Sequence, residues 1–358
     1  ASLVMRRLVR LGARPAEAGE FTRRAFMNGR IDLMQAEAVM GVISARSAAA
    51  LRAGERQLEG GQSRFIRKAQ EDLTALLSGL EAHIDYPDEI GEDEALSGLC
   101  DGLDKLIARL DGAIDERGAR IVREGLRVAL CGRPNAGKST LFNALLGEDR
   151  AIVTDIPGTT RDVLEGAFML DGTNVLLQDT AGLRDSGDAV ERIGVERARA
   201  ALGRADVALL VVDASQDPDD EALDLLRMEA PCPCAVLLNK EDAGERFTAS
   251  QAERLTDKRP ILRVSAREGE GLDAVREYLR GFLRNPDELA LTHERHMAVA
   301  RQALDKLRDA RAGLASGGLI DLAAVDLHEA LYLLGRITGD SVDEKLLDDI
   351  FSRFCVGK

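Results

Sequence analysis

Glycine-rich, hydroxyl-bearing and acidic motifs lie between residues 132 and 271, and their order suits the binding of a nucleotide and a metal ion. A single motif of this kind can arise by chance, whereas the whole series supplies phosphate ligands, a base-reading carboxylate and loops that can respond to a γ-phosphate. The motifs are GRPNAGKST (132–140), PGTTRD (157–162), DTAGLR (179–184), NKED (239–242) and SAREGEG (265–271).

The first motif predicts a phosphate-binding loop. The apolar run LRVALCG, which has strand length, precedes it, and the helical segment KSTLFNALLG follows it. Glycines let backbone N–H groups curl around phosphate oxygens, and the helix N-terminus adds positive potential. Lys138 is expected to reach the β- and γ-phosphates, and the Ser139 hydroxyl is expected to ligate Mg²⁺. The residues predicted to bind nucleotide here are Asn135, Ala136, Gly137, Lys138, Ser139 and Thr140.

The NKED motif, which follows the apolar run CAVLLNK, indicates that the base is guanine. The Asp242 carboxylate can accept hydrogen bonds from the N1–H and the 2-amino group of guanine, and adenine offers neither donor. The Lys240 stem can cover the base, and Asn239 can tie this loop to the phosphate loop. After the next strand, ILRVSA, the backbone of Ser265 and Ala266 is expected to donate to guanine O6.

PGTTRD and DTAGLR predict two switch loops. The Thr160 hydroxyl can ligate Mg²⁺ only when the γ-phosphate is present, and the Gly182 N–H is placed to bind that phosphate. Asp179 is expected on the metal side, through a water molecule. The other residues of these loops that are predicted to bind nucleotide are Thr154, Asp155, Ile156, Pro157, Gly158, Thr159, Thr180 and Ala181.

Leu183 stands where a Ras-like GTPase has a glutamine that orients the attacking water, and leucine cannot do this. Hydrolysis is then either very slow or dependent on another group. Asp185, Asp188 and Glu191 lie just downstream, and a carboxylate there can reach back when the loop orders. The same acids also suit the first turn of the following helix, where they would only cap and solvate it.

Asn135 lies in the phosphate loop, where it is either a turn residue or a ligand that faces the phosphates. A monovalent cation bound between its side-chain oxygen and the backbone of 154–159 can supply the positive charge that an arginine finger gives in other GTPases. No arginine finger can be assigned from the sequence.

Composition limits the possible partners. The chain has 358 residues, of which 45% are hydrophobic, and its net charge is −14. It can therefore form two or three cores, and its surface as a whole does not attract nucleic acid. No apolar run reaches membrane-span length, no signal peptide is visible, and the five cysteines have no repeated spacing. These features favour a cytoplasmic protein without a membrane partner.

Helical periodicity surrounds the motif-bearing region. Apolar residues recur at three- and four-residue spacing from about residue 32 to residue 120 and again after residue 288, whereas residues 1–30 read as turn-rich and basic. The predicted fold is an α/β P-loop domain inserted into an all-α domain, which suits a protein that changes conformation. Because the chain begins at Ala1 within an apolar and basic stretch, we expect an N-terminal domain to be only partly represented. The predicted boundaries are 1–30, 31–124, 125–284 and 285–358.

The last residues, CVGK, permit two interpretations. Cys355 can be a reactive thiol, for which Lys358 is the only nearby positive charge in the sequence. The same segment can equally be a disordered tail.

The whole chain resembles the MnmE (TrmE) family of tRNA-modification GTPases. GEFTRRAFMNGRIDLMQAEAV (19–39) resembles the family's signature at the end of its N-terminal folate-binding domain. TDIPGTTRD, DTAGLRDSGDAVERIG and CVGK also match, and the inserted GTP-binding domain is the family's architecture. The resemblance implies that residues 1–30 are the remnant of an α+β folate-binding and dimerisation domain.

The resemblance also implies particular roles. Glu191 matches the glutamate proposed to orient the attacking water, and Cys355 matches a cysteine needed for the modification. Arg30 and Lys358 match positions that contact a 5-formyl-tetrahydrofolate one-carbon donor, although Arg30 stands where lysine is more usual. The positions that match K⁺ ligands are Asn135, Thr154, Ile156 and Thr159, and those that match Mg²⁺ ligands are Ser139 and Thr160.

By this resemblance the expected protein is a K⁺-stimulated, homodimeric GTPase that cycles between GTP and GDP. Its expected partners are tRNA and the flavoprotein MnmG, with which it adds an aminomethyl or carboxymethylaminomethyl group to carbon 5 of the wobble uridine. A ribosome-assembly GTPase of the Era or Der kind is the main alternative, but we find no KH-like GXXG loop and no basic C-terminal domain. A switch module that only binds proteins is the third possibility.

Overall fold

The computed structural model describes residues 2–86, 92–147, 164–179, 202–256, 258–316 and 320–354. The chain forms two compact units. A helical unit comprises Ala1–Ala45, Ala50–Ala119 and Asn285–Lys358, and an α/β unit comprises Arg46–Ala49 and Arg120–Arg284. The predicted fold class, an α/β domain inserted into an all-α domain, is confirmed. The predicted domain boundaries and the N-terminal α+β remnant stay predictions.

The elements follow one another in three groups along the chain. The first group is α1 (Ser2–Arg10), α2 (Glu20–Met27), α3 (Leu33–Ser44), α4 (Ala48–Leu58), α5 (Gly61–Asp85), α6 (Glu92–Ala113) and α7 (Glu116–Glu124). The second is β1 (Leu126–Cys131), α8 (Lys138–Leu146), β2 (Leu164–Leu170), β3 (Thr173–Asp179), β4 (Val207–Asp213), α9 (Asp220–Arg227), β5 (Cys234–Asn239), a 3₁₀ turn (Glu241–Ala243), α10 (Ala249–Leu255), β6 (Ile261–Arg263) and α11 (Leu272–Arg280). The third is α12 (Glu294–Ala315), α13 (Ile320–Thr338) and α14 (Glu344–Ser352).

Four long helices form the core of the helical unit. Helix α5 packs on α6 and α13, and α12 packs on the same two helices. Apolar residues of α5 recur every three or four positions and face this core, as helical geometry requires. None of the described helices combines the length and the apolar character that a membrane span requires. The buried α5 residues of this stripe are Ile66, Ala69, Leu73, Leu77 and Leu80.

The α/β unit is built on a sheet with the strand order β2-β3-β1-β4-β5-β6. Strand β2 is antiparallel to β3, and the remaining neighbours are parallel. Every residue of β4 and of β5 is buried, because separate apolar clusters cover the two faces of the sheet. The parallel strands therefore end at one edge, where the described loops after β1, β4, β5 and β6 begin.

A buried ion pair connects α3 with α12. Arg295 donates from Nε to Glu37 Oε1 (2.8 Å) and from Nη2 to Glu37 Oε2 (2.7 Å). The ring of His296, which is fully buried, lies 2.6 Å from Glu37 Oε2 through Nε2. Burial opposes the ionisation of Glu37, but its hydrogen bonds with His296 and Arg295 and the charge of Arg295 hold the pKa of Glu37 well below its usual range. Burial also lowers the pKa of His296, an effect that outweighs the attraction of Glu37.

These two shifts predict that acid destabilises the helical unit. Below the ordinary histidine pKa of 6.5 the unfolded chain takes up a proton that native His296 resists, and below 4.5 the same holds for Glu37. The free energy of unfolding should fall as the pH decreases below 6.5, with a slope from His296 of at most about 1.4 kcal/mol per pH unit. Urea unfolding followed by circular dichroism at several pH values measures this slope.

His296→Gln should flatten that slope, because glutamine does not titrate. His328→Gln is the matched control, since His328 is an exposed histidine whose Nε2 lies 2.9 Å from an exposed glutamate, Glu81. Equal slopes in the wild type and in His296→Gln would show that this histidine does not control the pH dependence.

Candidate nucleotide-binding site

The predicted nucleotide residues that the structure describes lie at the carboxyl ends of β1 and β5 and after β6. In an open α/β sheet this edge is where ligands bind, because loops and helix N-termini converge there. The polar residues are therefore held by strands that are themselves buried on both faces.

The phosphate loop joins β1 to α8 and requires glycine at two positions. A Cβ on Gly132 would lie 2.3 Å from the carbonyl oxygen of Val211, and a Cβ on Gly137 would lie 2.2 Å from Nδ2 of Asn239. Gly137 also has a left-handed backbone, with φ of 92°, at the start of α8. Asn135, at the apex of the loop, is exposed and has φ of 65°. A side chain at either glycine would thus displace the backbone that is expected to surround phosphate.

The Lys138 ammonium group lies against the backbone of the loop. Its Nζ donates to the carbonyl oxygens of Gly132 (2.7 Å) and Arg133 (2.6 Å), and the residue is 4% exposed. Its charge is therefore placed within the loop. Ser139 and Thr140, which follow at the start of α8, are exposed, so their hydroxyls can meet a ligand at the helix N-terminus.

Arg133 attaches the phosphate loop to α9. Its guanidinium group forms an ion pair with Asp219, which also accepts a hydrogen bond from the Ala222 N–H at the start of α9. Its Nε donates to Glu221 Oε2 at 2.6 Å. Two carboxylates thus bind the Arg133 side chain.

Asn239 connects the phosphate loop with the loop after β6. Its Nδ2 donates to the Ala136 carbonyl oxygen (2.8 Å), and its Oδ1 accepts from the Ala266 N–H (3.0 Å). The side chain is almost completely buried, at 1% exposure. The contact to the phosphate loop that the sequence predicted for Asn239 is present in the structure.

The base-recognition residues already have partners within the protein. Ser265 Oγ donates to Asp242 Oδ1 at 2.6 Å, which orients a carboxylate that is otherwise exposed. The Ser265 N–H donates to the Glu270 carbonyl oxygen (3.0 Å), while the Ala266 N–H donates to Asn239. The donation to guanine O6 predicted for this backbone stays a prediction, and it requires one of these bonds to be shared or exchanged.

Sequence reasoning missed Asp213, the last residue of β4. Its carboxylate accepts hydrogen bonds from Lys240 Nζ (2.6 Å), Gln216 Nε2 (2.6 Å), Ser215 Oγ (2.6 Å) and the Ser215 N–H (3.0 Å). Burial opposes the ionisation of Asp213, but the Lys240 and Ser215 hydrogen bonds prevail and lower its pKa. An aspartate that ends the apolar run VALLVVD was the available signal, because carboxyl ends of parallel strands are ligand-binding positions.

Most of the remaining predicted site residues lie outside the described residues, and Arg30 and Asp179 are the exceptions. Arg30, assigned to folate, is described and lies exposed after α2. The backbone of Asp179 ends β3, and its side chain is not described. The predicted residues outside the described ranges are Thr154, Asp155, Ile156, Pro157, Gly158, Thr159, Thr160, Thr180, Ala181, Gly182, Glu191, Cys355 and Lys358.

One group in the described part of the chain has ligand spacing that suits a metal ion. It consists of Glu37, His293 and His296, whose candidate ligand atoms lie within 4.8 Å of one another. Arg295, however, binds both oxygens of Glu37, so a divalent cation would have to enter beside a guanidinium charge. The group is better explained as a buried ion pair than as a metal centre.

In comparisons with known proteins, a family model and two sequence relatives carry the same name, MnmE. The family model for the MnmE helical domain matches residues 33–355. The tRNA modification GTPase MnmE of Heliobacterium modesticaldum is 45% identical over 363 residues, which cover 98% of this chain and 78% of the relative. The protein of the same name from Natranaerobius thermophilus is 40% identical over 362 residues, with 99% and 79% covered.

Solved structures add a weaker likeness. The G domain of the T. maritima FeoB iron transporter is 29% identical and matches 44% of this chain and 98% of its own length, with a TM-score of 0.34. Aquifex aeolicus Era is 26% identical, covering 50% of this chain and 66% of its own, also with a TM-score of 0.34. At these TM-scores the family relationship rests on the sequence relatives.

The contacts of Asn239 predict that Asn239→Ala weakens the α/β unit. The substitution leaves the Ala136 carbonyl and the Ala266 N–H without their partner, and both residues are nearly buried. We expect the free energy of unfolding to fall by about 3 kcal/mol, as measured by urea denaturation.

Asn285→Ala provides a matched control, because Asn285 is exposed and bonds only near neighbours in sequence. Its cost should stay below about 1 kcal/mol. Similar costs for the two variants would argue against a structural role for the Asn239 bridge.

Proposed function

The chain belongs to the MnmE family of tRNA modification GTPases, and on this basis we propose that it is a K⁺-stimulated, homodimeric enzyme that acts with the flavoprotein MnmG on the wobble uridine of tRNA. The observation that supports the proposal is that Asn239 joins the phosphate loop of Lys138 to the NKED loop, in a chain that is 45% identical to a tRNA modification GTPase.

GTP hydrolysis is the activity of the α/β unit. The loop lysine, Lys138, and the N-terminus of α8 supply positive charge for the β- and γ-phosphates. Ser139 and Thr160 are the proposed Mg²⁺ ligands, and a bound Mg²⁺ would neutralise negative charge on the phosphates. Asp242 distinguishes guanine from adenine through the hydrogen bonds that only guanine can donate to it.

A potassium ion is proposed for the position where other GTPases use an arginine. Leu183 cannot orient water, and Arg133, the arginine of the phosphate loop, is held by Asp219 and Glu221. Asn135 is exposed at the apex of the loop, so its side-chain oxygen is accessible to a cation. The other proposed K⁺ ligands are the backbone groups of Thr154, Ile156 and Thr159, and Glu191 is the residue proposed to orient the attacking water.

The modification of tRNA is proposed to use separate residues. Cys355 is assigned to the carbon chemistry, and Arg30 and Lys358 to a 5-formyl-tetrahydrofolate donor, whose carboxylates suit basic partners. MnmG would supply flavin and NADH, and the product would carry an aminomethyl or carboxymethylaminomethyl group on carbon 5 of the uridine. The described cysteines form no disulfide bonds with one another, which agrees with a reaction in the reducing cytoplasm. They are Cys100, Cys131, Cys232 and Cys234.

Potassium dependence is tested by GTP hydrolysis in KCl and in NaCl at equal ionic strength. We expect the rate in KCl to be more than about tenfold higher, because a bound cation stabilises charge in the transition state. Asn135→Ala and Glu191→Ala should both lose this stimulation.

Asn143→Ala, an exposed asparagine on α8 beyond the phosphate loop, is the matched control and should keep it. Equal rates in the two salts would exclude the potassium proposal and would favour activation by RNA or by another partner.

The role of Cys355 is tested by reconstitution with MnmG, tRNA, flavin, NADH and the folate donor. Cys355→Ser should abolish the modified wobble nucleoside, detected by mass spectrometry of digested tRNA, because a hydroxyl is a far weaker nucleophile than a thiolate. Cys100→Ser, at a partly buried cysteine of α6, should retain it. Modification by Cys355→Ser at the wild-type level would remove this cysteine from the chemistry.

A further inference from the structure

Both oxygens of the Asp213 carboxylate, at the edge of the sheet, accept two hydrogen bonds each. Oδ2 accepts from Lys240 and Gln216, and Oδ1 accepts from the hydroxyl and the N–H of Ser215. The residue is only 9% exposed. A nearly buried carboxylate with this many donors stays ionised and holds its donors firmly.

The chain after β4 is also bonded to the chain after β5 through the backbone. The Ala214 N–H donates to the Asn239 carbonyl oxygen at 2.8 Å, and the Ala214 carbonyl oxygen accepts from the N–H groups of Arg246 (2.8 Å) and Phe247 (3.1 Å). The segment that carries Asp213 is therefore fixed relative to the NKED loop. Asp213 can act on Lys240 as a stationary anchor.

Lys240 has an unusual backbone conformation. Its φ of 66° lies in the left-handed region, which disfavours residues with a Cβ. Its side chain runs from this turn past the phosphate loop, where Cε lies 3.9 Å from the position of a Cβ on Gly137, and ends at Asp213. Both ends of the Lys240 stem are thus held, one by the backbone and the other by the carboxylate.

We propose that Asp213 is a positioning residue for nucleotide binding, which holds the Lys240 stem as an apolar wall for the face of the purine ring. The inference rests on the proposed function, since it takes GTP as the occupant of this site. Asp213 acts through Lys240 and touches no part of the nucleotide. Its effect is therefore on affinity and is independent of the groups at the edge of the base, which Asp242 reads.

Because Asp213 affects affinity and Asp242 recognises the edge of the base, variants of the two residues should have different effects. Every purine has the same ring face, so loss of the Asp213 contact should weaken GTP and ITP by the same factor. ITP lacks the 2-amino group, so a change at Asp242 should alter the ratio between nucleotides instead. An asparagine at position 242 presents an amide N–H, which suits the 2-oxo group of XTP.

The experiment is titration of the purified chain with fluorescently labelled GTP, ITP and XTP. Asp213→Asn should raise the Kd of GTP and of ITP by about tenfold each, the effect expected for loss of a charge-assisted hydrogen bond. In hydrolysis assays the change should appear mainly in KM. Lys240→Met, which keeps an unbranched stem and removes the ammonium group, should give a similar increase for both nucleotides.

The double variant tests whether the two residues act as a unit. If Asp213 acts through Lys240, adding Asp213→Asn to Lys240→Met should change the Kd no further. Arg276→Gln is the control in the same unit, because it removes an exposed ion pair within α11, between Arg276 and Asp273. Wild-type Kd values for Asp213→Asn, additive effects in the double variant, or an altered ratio of GTP to ITP would each overturn the inference.

Two further arms separate failure of this inference from failure of the proposed function. Asp242→Asn should shift preference from GTP toward XTP, and the wild type should prefer GTP. If the wild type shows no preference for GTP, the assignment of this site to guanine is itself wrong. If Asp213→Asn does not fold, as judged by circular dichroism, Lys240→Met decides, since Asp213 there keeps its Ser215 and Gln216 donors.

Discussion

The side-chain amide of Asn239 holds the nucleotide site together, because its two hydrogen bonds reach loops that follow different strands. One bond goes to Ala136 in the phosphate loop and the other comes from Ala266 after β6. This contact requires glycine at position 137, because any Cβ at Gly137 would overlap the Asn239 amide. A buried amide with both partners in place is rigid, whereas the same amide without one of them leaves a buried polar group unsatisfied.

The sheet makes this arrangement possible. Strands β4 and β5 are buried along their whole length, so their apolar residues fix the positions where the strands end. Asp213 and Asn239 are paired residues at the ends of these strands. Neighbouring parallel strands thus place a carboxylate and an amide side by side.

Local motifs predicted much of this site, and long-range contacts account for what they missed. The phosphate loop and the Asn239 contact follow from residue types at fixed spacing, as each belongs to one strand–loop unit. Asp213 was not predicted, because an aspartate after a strand is equally a turn residue and its partner Lys240 is 27 positions away. Glu37 and His296 are 259 positions apart, so no pattern in the sequence could join them.

In the helical unit, as in the α/β unit, a buried carboxylate is stabilised by several hydrogen-bond donors. Glu37 is held by Arg295 and His296, and Asp213 by Lys240 and its neighbours. In both cases a carboxylate taken from water is compensated by several donors, and its pKa is lowered as a result. Such groups specify one arrangement of the chain, because a shifted loop or helix would leave the charge unpaired. Asp213 places this constraint beside the proposed purine site, where a fixed arrangement also favours binding.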